Sequence, residues 1–412
     1  MEHGVSMAVV IAVTITLLAW TLVSQRLSRW NITAPMWFVA AGFLLAESWS
    51  VIDVGLGSTG LRELAEVTLA VVLFGDAARV SVTALRRDPL LPGRLLLVGL
   101  PLTMALGTVA AKLLMPSLSW WVCAVIGAAV APTDAALGAA VIDDERVPQR
   151  IRRVLNVESG LNDGIVTPFV KFFLVAAVAG TALETENEFR AIREMTIGTV
   201  VGVTIGVAGA YLLHQARRAN WSNPAYRAAA VAGLSLLSYA AAIELSGNGF
   251  VAAFVAGLAY GGGTRRLGRA AGEDTFEHSL EFTHQSAEVL SLVVWFLFGA
   301  LMVPVLRDLV WQDVAFALLA LTVVRMVPVA LVLLGTGLDR FTVLFVGWFG
   351  PRGLASVVFA LLAIDGLAPD DGNQAVRVIT TTVALSVVLH GASAAPASAR
   401  YGTSHHDPSP RD

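Results

Sequence analysis

The chain has 412 residues, 56% of them hydrophobic and 14% charged, with a net charge of −3 and a mean hydropathy of +0.71. A soluble chain carries about 25% charged residues, so this composition describes a polytopic membrane protein with almost nothing left over for a soluble domain, and its bulk charge gives no support to a nucleic-acid partner. The single cysteine, Cys123, excludes an internal disulfide and a multi-cysteine metal cage.

Thirteen apolar segments of spanning or near-spanning length follow one another. They run approximately over 6–24, 34–51, 63–82, 92–115, 119–141, 150–180, 194–214, 225–245, 248–263, 284–304, 313–335, 340–364 and 374–396, and the second and ninth are the short ones. No basic stretch precedes Met7 to Val23, so the first segment reads as a retained span rather than a cleaved signal. Lysine and arginine in loops mark the cytoplasmic side. With the N-terminus outside, nineteen basic residues fall in inward loops or the C-terminal end, six in outward loops and three (Lys171, Arg325, Arg352) within spans. That alternation predicts thirteen spans, N-out and C-in, in one transmembrane domain over 1–396, with a short polar cytoplasmic tail over 397–412 that is expected to be disordered. The acidic stretch Glu184 to Glu188 then faces outside.

Two six-span halves joined by one linker span run in opposite orientations, the inverted repeat of many secondary transporters. Spans 1–6 and 8–13 are the expected halves, so the fifth corresponds to the twelfth. Both are interrupted by proline beside polar residues, in AVAPTDAALG around Pro132 and in GWFGPRGLAS around Pro351. Proline removes a backbone donor and clashes with the preceding turn. Interruptions at matching positions point to a midplane binding site. In the fifth span the break frees carbonyls near Thr133 and Asp134, hard oxygen ligands suited to a small hard cation.

The sixth span contains NVESGLNDGIVTPFV, from Asn156 to Val170. Ser159 and Asp163 are four apart and share a helix face; Glu158 and Asn162, also four apart, line the adjacent one. Carboxylates inside a span are expensive and usually functional. Asp163 is the best candidate for the transported charge, because one carboxylate that accepts either a proton or a cation exchanges them at a single site. Asn162 beside it is neutral, and a second carboxylate there could move an additional proton. A buried, charged Glu158 needs a partner; Arg325 in span 11 and Arg352 in span 12 are available, and spacing does not choose between them. Asp76, near the inner end of the third span, either lines the cation path or marks the interface beside Arg79. Glu47 and Glu66 read as interfacial, and Lys171 as snorkelling outward. His214, His278, His284 and His390 fall at or near predicted span ends and His405 and His406 in the tail, with no metal-ligand pattern.

These motifs resemble those of the monovalent cation:proton antiporter-1 family, of the prokaryotic NhaP type related to animal sodium/proton exchangers. Glu158-Ser159-x-x-Asn162-Asp163 is similar to the family's E-S-x-x-N-D motif. Thr133-Asp134 resembles its T-D-P, with Ala135 in place of the proline. Gly350-Pro351-Arg352-Gly353 resembles its glycine-flanked arginine. The resemblance covers essentially all thirteen spans. It implies an all-α fold of two inverted six-helix repeats with broken helices crossing at the midplane. It also implies exchange of Na+, Li+ or K+ for a proton at Asp163, without a cofactor, in a homodimer of the prokaryotic plasma membrane. Ser159, Thr133 and Asp76 are then further ligands or path residues. Asn162 and Asp134 bear on the site directly or through water. Glu158 pairs with Arg325, and Arg352 sits against Asp134 and the helix ends. The Asn-Asp pair implies electroneutral one-for-one exchange. Gly160 stands where a larger residue is common, and Asp76 where relatives often have glutamate.

Three other readings compete. An organic anion transporter could use two half-helix N-termini for a carboxylate, against which the acidic oxygens of the site argue. An intramembrane aspartyl protease would use Asp134 and Asp163 as a dyad. A passive cation channel would conduct without proton counterflow.

Overall fold

A computed structural model of the chain describes residues 7–49, 59–80, 90–179, 185–271 and 276–405. They are almost entirely helical. In order the helices are α1 (Met7–Ser28), α2 (Ala34–Trp49), α3 (Thr59–Arg79), and α4 (Leu90–Leu114), which carries a π-helical turn at Leu95–Gly99. Then come α5 (Trp120–Ala129), the short α6 (Ala139–Ile142), α7 (Gln149–Ala179), α8 (Thr185–Arg218), α9 (Pro224–Glu244), α10 (Gly249–Ala271) and α11 (Phe276–Arg307). The last five are α12 (Trp311–Leu321), α13 (Val323–Val332), α14 (Arg340–Trp348), α15 (Leu354–Gly366) and α16 (Pro369–His405). Eight helical stretches among the described residues are long and apolar enough to cross a membrane, and shorter apolar helices lie at Ala34–Glu47, Trp120–Ala129 and Leu354–Gly366. The chain is a multi-pass, all-helical membrane protein.

Local sequence explains where several helices begin. Ser119 caps α5 by accepting from the Val122 N–H at 3.2 Å. Asn223 accepts from the Ala225 N–H at 3.0 Å, with Pro224 at the position where a missing N–H costs nothing. Asp339 accepts from Phe341 and Thr342 at 2.9 and 3.2 Å. Each cap satisfies a donor that the first helical turn leaves orphaned.

The helices form two closely packed groups. One contains α2, α3 and α8–α11; the other contains α4–α7 and α12–α16; they meet along a sparser seam where α3 runs beside α7 and α15. Small residues permit the tightest approaches. A Cβ on Gly202 of α8 would stand 2.5 Å from the Ala252 carbonyl oxygen of α10, and one on Gly198 would stand 2.6 Å from the Asn248 carbonyl oxygen. This spacing of glycines four apart brings two backbones together where lipid offers no hydrophobic drive.

The structure departs from the sequence expectation in five places. The ninth segment, read as short, is a full helix of 23 residues, because its polar end (Thr264 to Ala271) stays helical beyond the apolar run. The eleventh is interrupted at Thr322, whose backbone lies at φ −113°, ψ −92°, without a proline at that position to announce it. The fourth holds the π-helical turn. The tail expected to be disordered from 397 is instead helical to His405. Tyr401 is buried there against Phe345, with ring centroids 4.6 Å apart, and its hydroxyl bonds Thr342 at 2.7 Å. That packing outweighs the interruption at Pro396. His390, read as lying near a span end, is buried well inside α16. His406 and part of the Glu184–Glu188 stretch lie outside the described residues.

Candidate functional site

Two broken helices meet at the centre of the second group. Helix α5 ends at Ala129, and the chain runs non-helical past Pro132, Thr133 and Asp134. Helix α14 ends at Trp348 and α15 begins at Leu354. The two breaks are hydrogen-bonded to each other: the Asp134 N–H donates to the Pro351 carbonyl at 2.8 Å. The Asp134 carboxylate serves both segments. Its Oδ1 accepts from Ala136 N and Leu137 N at 2.7 and 3.0 Å, and its Oδ2 accepts from Leu354 N, the first residue of α15, at 3.0 Å. An anion at a helix start satisfies orphan donors and complements the dipole. A methyl group on Gly353 would overlap this carboxylate, so the position requires glycine.

Breaking two helices also strands carbonyls, and Arg352 collects them. Its Nη1 donates to Ala131 O at 3.0 Å and Pro132 O at 3.3 Å, and its Nη2 to Ala320 O at 3.2 Å. Arg352 is fully buried. The structure therefore places its guanidinium on helix-end carbonyls of α5 and α12, while the Asp134 oxygens go to backbone N–H groups.

Helix α7 lies alongside. Glu158 is buried and pairs in a two-pronged fashion with Arg325 of α13, at 2.5 Å (Nη1 to Oε1) and 2.9 Å (Nη2 to Oε2). Such a fork matches a carboxylate in both geometry and charge. One turn on, Asn162 and Ser159 both reach Thr133: the Asn162 Nδ2 donates to Thr133 Oγ1 at 2.7 Å, and the Thr133 and Ser159 hydroxyls are 3.0 Å apart. The motif of the sixth span and the break of the fifth are thus joined through Thr133. Gly350 sits against both partners of this arrangement, since a Cβ there would stand 2.7 Å from Arg325 Nε and 2.9 Å from Thr133 Cγ2.

Two oxygens stand out. Asn162 Oδ1 and Asp163 Oδ1 are buried and have no hydrogen-bond partner among the described residues. A buried acceptor without a donor is costly; a monovalent cation or a proton would satisfy such an oxygen, and the Asn162 side chain is joined to the Thr133 hydroxyl. Asp76 of α3 approaches across the seam between the groups: a Cβ on Gly160 would meet the Asp76 Cβ at 3.7 Å. Asp76 and Asp134 are both near enough to interact electrostatically with Asp163. No cluster of three or more His, Cys, Asp or Glu residues fit to hold a metal occurs among the described residues.

The other sequence candidates lie elsewhere. Glu47 pairs with Arg307 at 3.2 Å. Glu66 accepts from Arg62 at 2.8 Å and from the Tyr239 hydroxyl at 2.6 Å, and Arg62 also reaches Asp365 of α15 at 2.7 Å. The Lys171 ammonium stands over the Phe250 ring, 5.8 Å from its centroid. Sequence reasoning missed the pair of buried Asp313 and half-buried Arg377, 2.6 Å apart, and the polar face of α16 formed by Ser386, His390 and Ser393. The i, i+4, i+7 spacing of those three residues was the signal available for it.

Comparison with known proteins agrees with this architecture. Residues 12–400 match the family model described as sodium/hydrogen exchanger, transmembrane. The chain belongs to the sodium/hydrogen exchanger family. It is 26% identical over 388 residues to the K(+)/H(+) antiporter NhaP of Alkalimonas amylolytica, covering 91% of this chain and 63% of that protein. It is 27% identical over 388 residues to the K(+)/H(+) antiporter NhaP2 of Shewanella sp. (strain ANA-3), covering 90% of this chain and 63% of that protein. The chain therefore spans somewhat under two thirds of the length of these relatives. In fold it is similar to the sodium proton antiporter MjNhaP1 of Methanocaldococcus jannaschii, with a TM-score of 0.78 and 19% identity over 96% of this chain and 99% of that one.

Proposed function

We propose that the protein exchanges a monovalent cation (Na+, Li+ or K+) for a proton across the plasma membrane, one for one, at Asp163. The observation that carries this reading is the pair of buried oxygens on Asn162 and Asp163 without a partner among the described residues, on the helix whose Asn162 and Ser159 bond Thr133 at the break of α5. Family membership and the antiporter names of the relatives support it.

The mechanism is competition. A protonated Asp163 is neutral and offers the cation little; an ionised Asp163 supplies the negative charge that, with the hydroxyl and amide oxygens, replaces water around the cation. A bare buried carboxylate crosses poorly because its charge is desolvated without compensation. Only the two loaded forms move readily, and this couples the gradients. Because Asn162 is neutral, one charge is neutralised in either loaded form and the exchange is electroneutral. Asp76, from the other helix group, lines the approach. Asp134, Arg352 and the Glu158–Arg325 pair hold the broken helices in place.

The same reading assigns thirteen spans, N-out and C-in, arranged as two inverted six-helix halves whose broken members cross at the midplane. Support comes from the arginine distribution, from the mutual hydrogen bond of the two breaks, and from a further match. The fourth and eleventh spans, which correspond in this scheme, are each irregular, at Leu95–Gly99 and at Thr322. The protein works as a homodimer, and its C-terminal end from 397 lies on the cytoplasmic side.

The test is proton flux in proteoliposomes carrying an internal pH dye, on addition of sodium, lithium or potassium in turn, with and without a clamped membrane potential. Wild type is expected to show cation-dependent flux that is insensitive to potential, and Asp163→Asn none. No response to any cation, or undiminished flux in Asp163→Asn, refutes the assignment.

A further inference from the structure

Helix α16 turns a hydrogen-bonding face toward the break between α14 and α15. Ser386, His390 and Ser393 lie on that face, and His390 is 2% exposed. Its ring touches one side of the break directly and reaches the other through Ser386. Nε2 is 2.9 Å from the carbonyl of Trp348, the last residue of α14. Nδ1 is 3.0 Å from the hydroxyl of Ser386, and that hydroxyl accepts from the backbone N–H of Arg352 at 2.6 Å. Trp348 is held further, by its indole N–H donating to Ser393 Oγ at 2.8 Å and by its ring lying 5.1 Å from that of His390.

A carbonyl only accepts, and each ring nitrogen has one within reach: Trp348 O at Nε2, and the Ser386 backbone O at Nδ1, 3.0 Å away. The Ser386 hydroxyl, which accepts from the Arg352 N–H, lies beside the same Nδ1. The contacts run from Arg352 through Ser386 and His390 to Trp348, and so tie the last residue of α14 to a residue two positions before α15. Arg352 in turn holds the Ala131 and Pro132 carbonyls, the two residues before Thr133.

We propose that His390 is a positioning residue for the cation site: with Ser386 it fixes the spacing between Trp348 and Arg352, and through Arg352 the placement of Thr133. The assignment rests on the antiport reading of the site. Loss of the bridge lets the break relax, so the Thr133 oxygen meets the cation less well, while Asp163 and its proton chemistry stay in place. The effect falls on cation affinity more than on maximal rate.

The test uses full-length protein in proteoliposomes and the cation that gives the largest wild-type flux among sodium, lithium and potassium. Flux is titrated against cation concentration for wild type, His390→Leu, His390→Gln, Ser386→Ala and the His390→Leu/Ser386→Ala double variant. Leucine keeps volume and removes both bonds; glutamine keeps a donor able to reach Trp348. His390→Leu is expected to raise the half-saturating cation concentration about tenfold, the worth of roughly one buried hydrogen bond, with maximal flux per folded protein within about twofold. Glutamine restores most of the loss. Ser386→Ala shifts the same parameter, and the double variant is no worse than the worse single, as members of one chain are non-additive. Ser386→Ala, which removes only a hydroxyl, carries the test if His390→Leu does not fold. An unchanged half-saturating concentration, a glutamine variant as poor as leucine, or shifts that multiply in the double variant overturn the assignment. Wild type without cation-dependent flux overturns the antiport reading itself, and the assignment with it; normal wild-type flux with unaltered variants overturns the assignment alone.

Discussion

Glu158 and Arg325 are both buried, bonded through two parallel contacts, and come from helices α7 and α13 that nothing else in the sequence ties together. Removing one partner of such a pair leaves a buried charge uncompensated, at a cost of about 3–5 kcal/mol. Here the cost falls toward the upper end for Glu158→Leu, because Arg352, of like sign, already interacts electrostatically with Arg325. Replacing both partners by apolar groups removes the charges together and is about neutral in similar sites. The unfolding entropy of a chain this size makes about 4 kcal/mol worth a drop of roughly 5 °C in melting temperature. Detergent-solubilised Glu158→Leu and Arg325→Met should therefore each melt about 5 °C below wild type, while the Glu158→Leu/Arg325→Met double variant returns to within about 2 °C. Melting is followed by fluorescence-detected size exclusion after heating. A double variant that falls by the sum of the singles, or a Glu158→Leu variant that melts with wild type, refutes the view that charge compensation is what the pair supplies.

Gly353→Ala should abolish both transport and the monodisperse elution peak, because its methyl group would occupy the Asp134 carboxylate, whereas Gly233→Ala, with open space around its Cβ position, should leave both unchanged. Truncation after Ala395 removes Tyr401 from its contacts with Phe345 and Thr342; loss of a buried aromatic costs about 3–5 kcal/mol, so the shortened chain should melt several degrees lower. The Asp144 carboxyl, in the loop before α7, is held below the usual carboxylate range chiefly by its hydrogen bonds from the Arg146 side chain. A depressed carboxylate stabilises above its unfolded value of about 3.9 and loses that contribution only as pH falls through its lower folded value. Arg146→Ala should accordingly leave the transport profile between pH 6 and 9 unchanged and alter stability only in acid.

Much of the site was legible because membrane burial makes polar residues conspicuous. Glu158, Ser159, Asn162 and Asp163 interrupt an apolar run, and Pro132 and Pro351 announce breaks by removing a backbone donor. The contacts between those segments were not legible. Nothing in spacing separates Arg325 from Arg352 as the partner of Glu158, since both sit in distant spans and the choice depends on how helices pack. The interruption at Thr322 lies in ALLALTVVR, with no proline or glycine to mark it. It coincides with the place where Arg352 takes the Ala320 carbonyl, so the irregularity is met by a partner from another helix. The segment from 397 read as a polar, disordered tail, yet the helix runs through Pro396 because Tyr401 gains a buried site beyond it. His390 read as lying at or near a span end; its partners are the stranded Trp348 carbonyl of the neighbouring break and Ser386 on its own helix.

The division of labour around Asp163 follows from polar satisfaction. Breaking two helices inside an apolar protein exposes N–H groups at one set of ends and carbonyls at the other, and each kind needs its own counter-group. Asp134 takes the donors, and Arg352 takes the acceptors. One residue of each sign thus makes two breaks tolerable without leaving net charge from this pair at the centre. Glu158 and Arg325 cancel in the same way. On the proposed reading the group left to exchange is the Asp163 carboxylate, next in sequence to Asn162, whose amide oxygen has no partner among the described residues. Asp76 lies across the seam between the helix groups, close to Gly160 of α7. In the proposed exchange Asp163 supplies the one exchangeable charge, because Asp134, Arg352, Glu158 and Arg325 are already committed to the backbone or to a partner. Were Asp134 available as a ligand, the site would hold two carboxylates and its exchange would not balance at one proton. Its three backbone bonds are therefore as much a part of the expected stoichiometry as the neutrality of Asn162.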